Sequence, residues 1–456
     1  MTSKALFAHS ALLADGWHEG VLLQWDDAGN LTSVQASEAP QGVPQARFVM
    51  PGMVNLHSHA FQRALSGMTE QAGDSPDSFW TWRDLMYRFA RRITPEQMSA
   101  IAAQLYSECL RHGYTSVCEF HYVHRAPDGN LYARAAETAL HVADAARYTG
   151  IGMTMLPVLY SYSGFGEAPL KPEQGRFRSS VDDILRIIGE LDAQRGPQLE
   201  VGLAPHSLRA ASVQQIREAL AGLPVQRPVH IHIAEQQGEV KQSLDFSARR
   251  PVQYLYDHVE VDQRWCLVHA THLSEDEISA IARSGAVAGL CPTTEANLGD
   301  GIFPLEPFLA QGGVFGVGSD SHVSQSPVEE LRWLEYGQRL SQQRRNIAVS
   351  PKQRKVGDFL WQAALRGGAQ ASGRPVGELA PGKRADLLVL DEQHPNLHGL
   401  APADVLSTLV FSGNDNLVRD VMVGGRWVVR DREHVAQPAI AARFRQTLAE
   451  LRELRS

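Results

Sequence analysis

Two histidines two residues apart, His57 and His59, close an apolar run that rises out of Pro51-Gly52. In a strand, residues i and i+2 point to the same face, so both imidazoles could reach one metal ion. A lone His-x-His pair is more often core or surface than ligand, but matching pieces recur downstream. His230 and His232 repeat the alternation, with Glu235 three residues beyond the second. His269 ends another apolar run, and Gly318-Ser319-Asp320 ends one more. Three imidazoles and a carboxylate are a ligand set for Zn2+ or a similar divalent ion.

Residues so far apart in sequence need a scaffold that brings them together. Apolar runs at 53–57, 115–120, 152–158, 199–204, 229–233, 265–269, 286–290 and 314–318 alternate with amphipathic segments. The segments at 94–112, 131–148, 180–194, 212–220, 274–284 and 327–343 carry helical periodicity. Continuous apolar strands alternating with helices predict an α/β fold with a parallel sheet covered on both faces. Eight such units predict a closed (β/α)8 barrel. In that architecture the active site lies at the carboxyl ends of the strands, where the candidates stand. Depth then selects His232 over His230, which is read as a core residue or a partner behind the ligands. His269 faces the others as an electrophile or as a partner behind the ligands. Asp320 could instead cap a helix, but Ser326, before Pro327-Val328-Glu329, is the better cap.

Strand-like runs at 5–13, 20–25 and 31–35 precede the barrel, and runs at 384–390, 418–423 and 426–429 follow it. Gly424-Gly425 reads as the hairpin turn between the last two. The two ends are expected to meet in a small discontinuous β-sandwich, residues 1–50 and 375–435. Residues 51–374 then form the catalytic barrel, and 436–456 a C-terminal helix.

The composition is that of an ordinary globular chain of 456 residues, 43% hydrophobic and 21% charged. A net charge of -8 without a basic run argues against nucleic acid or an anionic membrane as partner. The cysteines Cys109, Cys118, Cys266 and Cys291 are scattered, as reduced thiols of a cytoplasmic protein would be. The first residues lack a signal-peptide pattern, and no apolar stretch approaches the ~20 residues of a membrane span. Gly377 to Lys383 imitates a phosphate-binding loop, but Arg384 replaces the required Ser or Thr and a strand follows.

The stretch from Pro51 to His59, His232 with Glu235, His269, and Gly318-Ser319-Asp320 resemble the amidohydrolase superfamily, in the order and spacing of its mononuclear deaminase branch. The bridging lysine of the dinuclear branch is missing, since the fourth strand ends Leu203-Ala204-Pro205-His206. Within the branch, the segments 59–67, Phe79 to Arg83 and 204–210 are similar to the formimidoylglutamate deiminases. That resemblance implies hydrolysis of N-formimino-L-glutamate to N-formyl-L-glutamate and ammonia. It implies one divalent ion, Zn2+ ahead of Fe2+, on His57, His59, His232 and Asp320. Asp320, Glu235 and His269 become the catalytic groups, and Gln62, Tyr122, His206 and Arg209 the substrate contacts. A dicarboxylate substrate calls for arginine, which grips carboxylates bidentately. Arg83 is therefore added to the substrate set, with Arg63 competing for its place. Phe79, Trp80 and Trp82 would suit a homodimer contact or a lid over 66–93. The alternatives are a heterocycle or nucleoside deaminase of the same branch, and a metal-binding scaffold without turnover.

Overall fold

The structure is a computed structural model and describes residues 4–68, 70, 86–87 and 89–453. It opens with β1 (Ala5–Leu13), β2 (Gly16–Trp25), β3 (Leu31–Ala36) and β4 (Gln45–Pro51). The barrel strands follow: β5 (Met53–Ser58), β6 (Tyr114–His121), β7 (Gly152–Leu159), β8 (Leu199–Val201) and β9 (Ala204–Pro205). They continue with β10 (Val229–Ile233), β11 (Trp265–His269), β12 (Val287–Leu290) and β13 (Val314–Val317). The chain returns through β14 (Leu387–Leu390), β15 (Val418–Val423), β16 (Arg426–Arg430) and β17 (Glu433–His434).

All the barrel pairings are parallel, and two single bridges close the ring. Leu203 bridges to Val229, and Ser58 bridges to Asp320. The second closure carries chemistry, because the Asp320 N–H donates to the His57 carbonyl at 3.0 Å and the His59 N–H to the Asp320 carbonyl at 3.3 Å. The seam of the barrel thus sets two histidines and the late aspartate side by side. The fourth stave is broken into β8 and β9 at Gly202, where a Cβ would collide with the Pro228 carbonyl.

Four of the outer helices start where the sequence signals them. Thr94, Ser180, Ser212 and Ser274 accept from the backbone three residues on, and Gln97, Asp183, Gln215 and Glu277 return the bond. The segment expected to be helical from 131 begins instead at Glu137 (helix Glu137–Thr149). Its start is set from outside, because the Glu190 carboxylate accepts from the N–H groups of Ala135 and Ala136, both at 3.1 Å. A cap borrowed from another helix leaves no local mark in the sequence.

The terminal strands lie in one sheet of order β17-β16-β15-β14-β4-β1-β2-β3. β4 joins its halves, parallel to β1 and antiparallel to β14. Its residues split between two cores. Phe48 and Met50 pack into the main core, whereas Ala46 and Val49 join Leu6, Leu23 and Leu387 in a separate one. The helix Val356–Ser372 packs across β5 and β13, beneath the closing seam. Gly367 permits that approach, since a Cβ there would overlap the Phe315 carbonyl. Gly367→Ala is expected to destabilise the fold by about 1–3 kcal/mol through overpacking, read as a lower urea midpoint at unchanged m-value.

Candidate active site

Backbone strain gathers where the barrel strands end. Ala234 (φ 51°), His269 (67°), Ala270 (48°), Asp320 (44°) and His322 (64°) all hold left-handed conformations without being glycine. Each costs of the order of 1–3 kcal/mol, and such strain concentrates at sites that hold side chains for a purpose. Glu239 supports the first of these turns: its carboxylate accepts from the N–H groups of Ala234 and Glu235, both at 3.2 Å.

Above these turns the imidazoles converge. His57 Nε2 lies 3.1 Å from His59 Nε2 and 2.9 Å from His232 Nε2. Asp320 Oδ1 stands 3.5 Å from His57 Nε2 and 3.3 Å from His59 Nε2. Its other oxygen, Oδ2, faces His269 Nε2 at 3.7 Å, and Glu235 Oε1 reaches the same nitrogen at 3.8 Å. All six side chains are buried.

Burial governs their protonation. It holds His57 and His232 well below the usual histidine range and His59 down to about 3, so these imidazoles are neutral. His59 Nδ1 donates to the Phe120 carbonyl at 2.9 Å, which turns the Nε2 lone pair inward. Lone pairs so close together repel unless a cation lies among them. These neutral imidazoles and the carboxylate therefore fit a divalent ion, with two overlapping groups close enough to hold one: His57, His59 and Asp320, and His57, His232 and His269. His269 behaves differently. Burial would lower its pKa, but Glu235, Glu295 and Asp320 outweigh that and push it up to about 10. Burial pushes the Asp320 carboxyl up to about 7, with His269 opposing.

A cavity enclosing about 650 Å3, open water at its mouth included, extends from this cluster. Its walls include Gln62, Tyr122, His206 and Arg209 beside His59, His232, Glu235, His269 and Asp320. Gln62 Nε2 donates to the Tyr122 hydroxyl at 2.8 Å, and His206 Nδ1 sits 3.1 Å from Ser207 Oγ. Arg209 is only 8% exposed, and its loop is tied down where the Ala210 carbonyl accepts from Ser161 N and Tyr162 N at 2.7 and 3.0 Å. Tyr87, Tyr160 and Phe177 complete an aromatic flank.

Other residues singled out from the sequence fall elsewhere in the molecule. His230 is in the barrel core, 2.8 Å from the Ala371 carbonyl. Arg63 makes a bidentate pair with Glu108 at 2.7 and 3.0 Å and is committed to the helix Pro95–Arg111. Arg83, with Phe79, Trp80 and Trp82, lies outside the described residues. Ser326 occupies the N-cap position of the helix Pro327–Gln342, although its side chain makes no capping bond.

Sequence reasoning missed the groups behind the ligands. Glu119 accepts from Ser58 Oγ at 2.6 Å, Ala60 N at 2.7 Å and Tyr106 Oη at 3.0 Å, which fixes the turn carrying His59. Asn55 Nδ2 donates to Ser319 Oγ at 2.6 Å, and the Ser319 N–H returns to Asn55 Oδ1 at 2.9 Å, locking β5 to the Asp320 turn. Glu119 lies near the end of an apolar strand, and Asn55 stands two residues before His57, on the histidine face of its strand. Those positions were the available signal.

The profile of the amidohydrolase family matches residues 48–428. A formimidoylglutamate deiminase of Pseudomonas aeruginosa is 53% identical over 98% of this chain and 99% of its own length. An 8-oxoguanine deaminase from the same organism is 30% identical, over 88% of this chain and 87% of its own. Among solved structures, an amidohydrolase from Brucella melitensis superposes with a TM-score of 0.94 at 42% identity, covering 98% of this chain and all of that one.

Proposed function

The chain belongs to the amidohydrolase family, and from that premise we propose that it hydrolyses N-formimino-L-glutamate to N-formyl-L-glutamate and ammonia. The observation that carries this reading is the likeness to a formimidoylglutamate deiminase at 53% identity over nearly the whole chain. The cavity agrees with it, since a buried arginine stands on the wall of a pocket that ends at the His/Asp cluster.

His57, His59, His232 and Asp320 would hold a divalent ion, which would supply the Lewis acidity that makes water a competent nucleophile near neutral pH. Zn2+ suits this donor set, with Fe2+ as the alternative. Arg209 and Tyr122 bind the substrate carboxylates, with Gln62 and His206 beside them, while the amidine points toward Glu235. Asp320 accepts the first proton of the attacking water at Oδ2, the oxygen turned toward His269. The water oxygen bonds to the formimino carbon, whose electrons move to nitrogen. Glu235 carries the hydroxyl proton of the resulting adduct to that nitrogen, an NH2 group because the amidine enters protonated. As the C–N bond breaks, neutral ammonia leaves and the carbonyl forms, with the first water proton on Asp320. His269 Nε2 stabilises charge on the tetrahedral carbon's substituents.

Free buried cysteines support a cytoplasmic home, and no helix among the described residues is long and apolar enough to cross a membrane. A homodimer is supported by the exposed stripe of Trp333, Tyr336 and Leu340. We read residues 1–50 with 375–435, 51–374 and 436–456 as the structural divisions.

Ammonia release tests the proposal directly. Metal-replete protein is expected to release ammonia from N-formimino-L-glutamate and not from guanine or adenosine, with one ion per chain by elemental analysis. The likeness to an 8-oxoguanine deaminase keeps a heterocycle reading in play. Release from guanine alone would replace the first reading with the second.

A further inference from the structure

Glu295 belongs neither to the ligand set nor to the cavity wall, yet it is buried against His269. It lies on the helix Pro292–Leu298, immediately after β12. Its Oε1 accepts from the Cys291 N–H at 2.9 Å and stands 3.3 Å from His269 Nδ1. The other ring nitrogen, Nε2, faces Glu235 and Asp320 at 3.8 and 3.7 Å. The His269 ring therefore spans from a carboxylate outside the cavity to the two proposed proton-carrying groups inside it. Its backbone is left-handed, a strained conformation of the kind that clusters at functional sites.

We propose that Glu295 is a positioning residue: by accepting the His269 Nδ1–H it fixes the ring so that Nε2 meets the reacting atoms. An imidazole with one nitrogen held by a carboxylate has its orientation and bonding at the other nitrogen decided. The identity of those atoms rests on the deimination reading; the Glu295–His269 contact does not. A second ion shared by His269, Cys291 and Glu295 is the competing use of the same groups. One feature opposes it: Oε1 already serves the Cys291 N–H at 2.9 Å.

The test uses the metal-replete full chain and its Glu295→Gln, Glu295→Ala and Glu295→Asp variants. In the wild type, a downfield imidazole N–H proton resonance is assigned to His269 by its loss in His269→Asn. That resonance is expected to shift in Glu295→Gln and vanish in Glu295→Ala. For both variants kcat is expected to fall about 10- to 100-fold, with KM within about threefold and metal at one ion per chain. Glu295→Asp, which keeps the carboxylate, is expected to recover part of kcat. The proposal is overturned if the resonance ignores Glu295, if kcat stays within about threefold of wild type, or if metal content falls with activity. Two ions per wild-type chain would also overturn it. A protein inactive on N-formimino-L-glutamate whose His269 resonance still answers to Glu295 would retain the positioning role and lose the substrate.

Discussion

Glu235→Gln is expected to lower kcat by about 10²–10⁴-fold while leaving the metal content at one ion per chain. The variant is close to isosteric, so it should not disturb what surrounds it. The turn is held from below by Glu239, whose bonds go to the backbone N–H groups of Ala234 and Glu235 and not to the replaced side chain. The proposed ligands do not include Glu235, and its carboxylate stands 3.8 Å from His269, which the proposed ligand set also leaves out. Under the proposed mechanism, what the change removes is the proton carrier beside the departing nitrogen. An amide cannot carry that proton, so amide anion would have to leave. Steady-state kinetics with elemental analysis on the same preparation decide the matter: near wild-type kcat in a metal-replete variant would end the proton-carrying role.

The candidate site was readable because its proposed ligands, and His269 beside them, obey two short-range rules. His57 and His59 share a face through the two-residue period of a strand, and His232, His269 and Asp320 each follow an apolar run. Barrel topology then does what local pattern cannot, since Ser58 and Asp320 meet only when β13 closes on β5. The groups behind the ligands follow no such rule. Glu119 looks like an anomalous acid in a buried strand until Ser58, Ala60 and Tyr106 are seen to satisfy it. Glu295 lies in a helix of seven residues, and only tertiary packing sets it against His269. Arg63 shows the opposite failure. It sits in the right motif, but its guanidinium is taken by Glu108, a residue whose place on the helix face is not encoded near position 63. β4 was hidden for a related reason: Pro51-Gly52 reads as a strand start, whereas the chain arrives there already extended between β1 and β14.

Arg209→Met should expose how far charge selects the substrate. Arg209 is buried on the cavity wall, and its loop is anchored by main-chain bonds at Ala210 that the substitution leaves intact. The variant therefore changes the charge presented to a ligand more than the shape of the pocket. A substrate carboxylate that loses its guanidinium partner in a desolvated site forfeits about 2–4 kcal/mol, roughly 30- to 700-fold in kcat/KM. Because the proposed carboxylate contact lies away from the bond being broken, the loss should fall on KM more than on kcat. Arg209→Lys should recover only part of it, since an ammonium cannot reproduce two parallel N–H bonds to one carboxylate. The nearby Glu239 supplies an internal control. Burial raises its pKa and Arg209 opposes that shift, so removing the guanidinium should raise it further. Protonation of Glu239 would loosen the Ala234–Glu235 turn and lower kcat, whereas a lost carboxylate contact acts mainly on KM. A neutral heterocycle has no carboxylate to lose, so a deaminase of that kind would show a KM indifferent to Arg209. An unchanged KM for N-formimino-L-glutamate in a metal-replete Arg209→Met protein would remove this arginine from the carboxylate site, and with it the electrostatic argument for a dicarboxylate substrate.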